Sequence, residues 1–233
     1  MGTLASPMGG RGEAAGEQDA GLPCSFHKIP TLGSPELSSP LGWRCYIAFY
    51  ISPGVSNLPG KVIVIEYDPD WPALYEQEQK RILAAIGEYI DDIQHVGSTS
   101  VPGLGAKPII DIMIALPDLM FVERCVQPML QLGYEYLGEF GLPGRHYFHK
   151  PAGPVVTQNM QHTHHVHMVQ TGSDRWNKHI VFRDYLRLHP EDAQQYYLLK
   201  KELADRFGAD REGYTDAKTS FVQSILEKAS LEE

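Results

Sequence analysis

Cysteine is scarce in this 233-residue chain: Cys24, Cys45 and Cys125 are the full set. Three thiols, odd in number and far apart, exclude a disulfide framework and a zinc site of closely spaced cysteines. They point to a reducing, cytoplasmic setting. Also missing is any run of about 20 apolar residues, the length a membrane-spanning helix needs. No basic start followed by an apolar core marks a secretory signal. Positive charge is in deficit: 20 Lys and Arg against 29 Asp and Glu leave a net charge of -9. That balance argues against general nucleic-acid binding. What is present is the composition of a soluble domain with a real core, 42% hydrophobic and 21% charged. Nothing in it fixes an oligomeric state.

Residues 1–60 stand apart. Stretches such as MGTLASPMGGRGEAAGEQDAGLP and TLGSPELSSPLG offer little to bury, so a largely disordered extension is expected there. Within it WRCYIAFYI, Trp43–Ile51, reads as a short added strand or a partner-binding segment. The compact domain is expected over 61–233. Val62–Glu66 has the β-branched pattern of a strand. Asp70 is placed to cap a helix with Pro72 in its first turn, and Leu74, Ile82, Ile86 and Ile90 are expected on its buried face. Ile93–Val96 and Ile109–Leu116 read as strands, the second apolar on both faces and hence central. Asp118 caps the next helix. Tyr134–Leu137, Arg145–Lys150 and His164–Gln170 read as further strands. Three helices follow, over about 173–189, 190–207 and 210–229. The fold class is therefore α/β or α+β, a mixed sheet with packed helices and a C-terminal helical segment.

The chemistry-bearing residues fall in four places. Gly97, Ser98 and Thr99 follow a strand, where glycine permits a sharp turn and exposed N–H groups and hydroxyls suit phosphate oxygens. Lys107 and Asp111 come next. A carboxylate inside PIIDIMIAL is costly to bury without a partner, so Asp111 is either salt-bridged or a metal ligand. In THHVHMV, His165 and His167 are two apart on a strand and share a face, with His164 on the other. Such a pair suits a metal, acid–base work or a phosphate. In RHYFHK, Arg145 and Lys150 offer positive charge to a polyphosphate. Lys218 and Arg183 are secondary candidates.

EYDPDWP, HVGSTSVPGLGAKPIIDI, GYEYLGEFGLPGRHYFHK, THHVHMV, HIVFRDYLRLHP and YTDAKTSFVQSIL, in this order, resemble the GrpB family. That family is placed in the polymerase-beta-like nucleotidyltransferase superfamily, and the resemblance covers nearly all of 61–233. It implies a nucleotidyltransferase-like mixed sheet and a nucleotide-handling pocket at Gly97, Ser98 and Asp111. The superfamily pattern continues with a second acid two residues on, where this chain has Met113. Members fused to dephospho-coenzyme-A kinase imply nucleotide or coenzyme A metabolism.

The expectation is a metal-dependent nucleotidyltransferase acting on a nucleoside triphosphate. Asp111, His165 and His167 would serve as ligands or acid–base groups for a divalent metal, magnesium or manganese. Gly97, Ser98, Thr99, Lys107, Arg145 and Lys150 would hold phosphate, and Glu135 or Glu139 would supply a missing carboxylate. The alternative is a non-catalytic module binding a nucleotide or another phosphorylated small molecule.

Overall fold

A computed structural model describes residues 61–151 and 162–232. The extension expected over 1–60, with Trp43–Ile51, lies outside the described residues. Five strands form one mixed sheet: β1 (Asp92–Val96), β2 (Ile110–Leu116), β3 (Glu135–Tyr136), β4 (Arg145–Pro151) and β5 (His162–Gln170). Their order is β1-β2-β5-β4-β3. Only β2 and β5 run parallel; the other neighbours are antiparallel. The expected central strand, β2, is interior, but β5 holds the middle of the sheet.

Strand alternation sorts the sheet into two unlike faces. Ile110, Ile112, Ile114 and Leu116 of β2, Val166 and Met168 of β5 and Phe148 of β4 belong to one core. Helices α1 (Trp71–Ile86) and α2 (Val122–Gln131) complete that core. The opposite face carries Asp111, Met113, His165 and His167. Helices α3 (Asp174–Leu188), α4 (Pro190–Phe207), α5 (Arg211–Asp216) and α6 (Thr219–Ser230) make up the C-terminal segment. Trp176 and Ile180 of α3 pack on Val96, Met113 and Val169 of this second face. A further core ties α3 to α4 and α6 through Phe182, Tyr196, Val222 and Ile225.

Four local expectations are corrected. Val62–Glu66 joins no sheet. Val62 donates its N–H to the carbonyl of Gly208, and Ile65 makes an isolated bridge to Ala106. Its β-branched residues instead pack Val62 and Val64 against Leu203, Ala204 and Tyr214. Asp70 precedes α1 without capping it; its own N–H is held by Asp68 Oδ1 at 2.9 Å. The buried face of α1 is Trp71, Glu78, Ile82 and Ile86, while Leu74 is exposed and Ile90 lies past the helix end. The single helix expected over 210–229 is two, α5 and α6, meeting at Ala217–Lys218. No glycine or proline marks that break, and tertiary packing decides it. Tyr214 and Lys218, four residues apart, are both buried at the sheet's second face rather than strung along one helix.

Candidate functional site

The site begins where β1 ends. Gly97 has φ 70° and ψ -174°, a region that only glycine adopts readily. A β-carbon there would lie 2.5 Å from Asp111 Oδ2. The chain then makes a tight turn over Ser98–Ser100, closed by Ser100 Oγ donating to the Gly97 carbonyl at 2.6 Å. Helix α3 grips this turn from outside. Arg187 donates to the Ser100 carbonyl from Nε at 3.1 Å and from Nη2 at 2.9 Å. Arg183 Nη1 donates to the His95 carbonyl at 3.1 Å. Asp184 pairs with both arginines.

Thr99 is 1% exposed, and its hydroxyl is committed inside the fold. It donates to the Ile109 carbonyl at 3.2 Å and lies 3.0 Å from His95 Nε2. With its one proton so used, the hydroxyl accepts from His95 Nε2–H, which selects the Nε2–H tautomer when the ring is neutral. Burial pushes that His95 down to about 4. Thr99 therefore braces the turn from its place in the pocket wall. Ser98 keeps its place on the pocket wall, hydrogen-bonded to Tyr196.

Asp111 lies opposite Val96 on one side and His165 on the other. Its Oδ1 is 3.1 Å from His165 Nδ1, which makes Nδ1–H the donor when the ring is neutral. His165 Nε2 lies 3.3 Å from His162 Nδ1. Burial lowers His165 in spite of the neighbouring carboxylate, and it holds His167 far down with help from the Arg145 charge. His179 of α3 joins them on the pocket wall and is pushed to about 4, again chiefly by burial. Burial thus favours the neutral form of each imidazole on this wall.

Three lysine amines join them. Lys107, Lys200 and Lys218 line the same pocket as Gly97, Ser98 and Asp111. Lys200 is 3% exposed and Lys218 8%, while Lys107 is half-buried. Lys200 donates to the Gly105 carbonyl at 2.6 Å and sits 4.6 Å from the centre of the Tyr196 ring. Lys218 lies 4.3 Å over Tyr214, with Lys107 5.8 Å from the same ring. Burial depresses all three; the Lys107 charge lowers Lys200 and Lys218 further, and Arg211 does the same to Lys107; Lys218 falls to about 7. Asp111 is the one acid among the described residues lining this pocket.

Several expected residues are elsewhere. Lys150 projects from the opposite face and pairs with the buried Glu78 at 2.7 Å, beside the Tyr134 hydroxyl. Arg145 is 3% exposed but does not line the pocket. Its Nη2 donates to the carbonyls of Glu139 and Phe140, pinning the turn before β4, and its guanidinium stacks on Tyr147. Glu135 bonds His149, and Glu139 accepts from the Gly144 N–H, so neither brings a carboxylate to Asp111. Met113 is fully buried in the apolar contact with α3. Among the described residues no three His, Cys, Asp or Glu side chains are grouped to hold a metal ion. Asp111 and His165 meet as a hydrogen-bonded pair, with His167 on the same pocket wall. Lys200, His179, Tyr196 and Tyr214 had not been expected. Lys200 had a signal: with Tyr196 and Leu203 it forms a stripe at helical spacing, and a lysine on such a stripe is anomalous.

The family model described as GrpB protein matches residues 61–228. The chain belongs to the GrpB family. The glutamate-rich protein GrpB of Alkalihalophilus pseudofirmus is 38% identical over 168 residues, covering 72% of this chain and 95% of that one. The crystal structure of the conserved protein GrpB from Enterococcus faecalis superposes with a TM-score of 0.65 at 37% identity, over 73% of this chain and 98% of that one. A dephospho-CoA kinase of Mycolicibacterium paratuberculosis is 25% identical over 190 residues, which take in 72% of this chain but 46% of the kinase. The mixed α/β fold expected from the sequence is the one found. Among the described residues no helix is long and apolar enough to cross a membrane.

Proposed function

We propose that the pocket between the Gly97 turn and helices α4–α6 binds a phosphorylated small molecule, a nucleotide or a coenzyme A-type nucleotide. One observation carries this reading. Three lysines from three separate parts of the chain converge on a pocket whose lining, among the described residues, has a single carboxylate. Burial pushes such amines toward their neutral form, and an anion entering the pocket draws protons back onto them. Phosphate supplies that compensation, and the Gly97–Ser98 turn offers N–H and hydroxyl groups beside it. Phe182, Tyr196 and Tyr214 add aromatic wall against which a base can pack.

Nucleotidyl transfer is the second reading. It is favoured by the Asp111–His165 pair, a carboxylate and an imidazole 3.1 Å apart at the mouth of the turn. In that role His165 would take a proton from an acceptor hydroxyl, with Asp111 orienting the ring.

Thermal unfolding of the full chain against nucleoside triphosphates, coenzyme A, dephospho-coenzyme A and pyrophosphate tests the binding reading. A ligand at a hundred times its dissociation constant adds about 2.7 kcal/mol. A stabilisation by one of these ligands that is lost in Lys218→Gln supports it. No stabilisation by any of them overturns it.

A further inference from the structure

In the nucleotidyltransferase pattern, phosphate charge is met by metal held between two acids on one strand. Here the second acid position is Met113, one side-chain step along the same face of β2 from Asp111. Met113 is 0% exposed and seated among Val96, Val169, Trp176 and Ile180. That is a filled apolar contact. Asp111 itself is partly committed, since Oδ1 takes the His165 hydrogen bond and Oδ2 faces the Gly97 backbone.

The charge that the second acid and its metal would supply is already present in another form. Lys107, Lys200 and Lys218 face Asp111, and each of the two buried lysines feels the Lys107 charge. Their positions are set by the fold: Lys200 by the Gly105 carbonyl, Lys218 by the Tyr214 ring. A divalent cation entering here would meet three lysine amines and one carboxylate, and would oppose the protonation of each amine. A diphosphate or longer phosphate chain would meet the reverse balance, three donors against one repelling oxygen pair.

We infer that the lysine triad stands in for the metal, so that the pocket takes the phosphate chain of its ligand without a divalent cation. This rests on the phosphate-binding reading above and fixes the form of the ligand: an unchelated di- or triphosphate. It also gives Asp111 a different role, that of a negative group restraining three neighbouring cations.

The test is calorimetric titration of the metal-stripped full chain with pyrophosphate and with ATP. Each is run in EDTA and again in excess magnesium. Binding in EDTA that weakens when magnesium chelates the ligand is expected. Asp111→Asn, checked for an unchanged unfolding temperature, should bind at least as tightly, because it removes the one repelling charge. Lys218→Gln and Lys200→Met should each lose about tenfold or more, the worth of a charge-assisted contact. Binding seen only with magnesium and abolished in Asp111→Asn overturns the inference while leaving the phosphate reading intact. No binding of either probe under both conditions overturns the phosphate reading itself, and this inference with it.

Discussion

Gly97 and Asp111 approach each other so closely across the β1–β2 pair that a β-carbon on residue 97 would lie 2.5 Å from Oδ2 and 3.1 Å from Asp111 Cβ. The contact fixes the carboxylate against the turn that opens the pocket. Gly97→Ala is expected to strain a φ of 70° and to push Asp111 away from His165. A loss of about 1–3 kcal/mol, read from urea midpoints, is the scale for such a backbone. Phosphate-ligand binding should fall with it. A variant with unchanged stability and binding would show that the turn has slack the geometry denies.

Lys218 predicts an unusual dependence on alkaline pH. Its folded value of about 7 lies below its ordinary 10.5, chiefly through burial and then through Lys107. Between those values the unfolded chain holds the extra proton, so the ligand-free protein should gain stability as pH rises from about 7 to about 10. Below 7 this contribution is constant. Lys218→Gln should flatten the rise. A phosphate ligand favours the charged amine, so its binding should take up protons above pH 7 and weaken there. Calorimetry in buffers of different ionisation enthalpy measures the uptake directly.

On the acid side His95 is one of several buried histidines that contribute. Its value of about 4 against 6.5 comes mainly from burial. Protonation then favours the unfolded chain as pH falls through 6.5 toward 4, a loss of about 3 kcal/mol for this group alone. His95→Gln retains a donor for Thr99 and removes the titration, so its stability should vary less over that range. An equal slope in variant and wild type would refute the assignment.

Lys150 is expected to act on stability and not on ligand binding. Burial pushes the Glu78 carboxyl up, and the Lys150 ammonium more than reverses it, holding the group below its ordinary value. Lys150→Met leaves that carboxylate buried with Arg81, a half-exposed partner at 3.0 Å. A cost of about 3 kcal/mol is expected, with phosphate-ligand affinity unchanged at temperatures where the variant is folded. Loss of affinity in the folded variant would return Lys150 to the site.

Arg187 separates positioning from folding. It donates twice to the Ser100 carbonyl from a half-exposed position on α3. Arg187→Gln should loosen the Ser98 turn and reduce ligand affinity, while Arg187→Lys, which keeps one donor, should recover part of it. If affinity is untouched in both, the turn holds itself through Ser100 and Thr99.

Much of this site is legible in the chain because its parts are local. A glycine and a serine at a strand end, an acid within an apolar strand and two histidines two apart each announce a turn, a buried charge and a shared face. The period of two also separates Arg145, Tyr147 and His149 from Lys150, so the opposite placement of Lys150 follows from spacing alone. The positions of Asp111 and His165 in adjacent strands, by contrast, come from the parallel β2–β5 pairing, which no local pattern states.

By itself the sequence determined a mixed α/β fold, the Gly97–Ser98 turn, the face that carries Asp111 and the absence of its second acid. Tertiary structure alone decided which cations meet that acid. Lys200 arrives on α4 and Lys218 at the unmarked α5–α6 break, while Lys150 is drawn away to Glu78 and Arg145 to the turn before β4. The physical reason is that periodicity tells a side chain which face it occupies but not what that face will meet. A buried charge goes where distant packing supplies its partner.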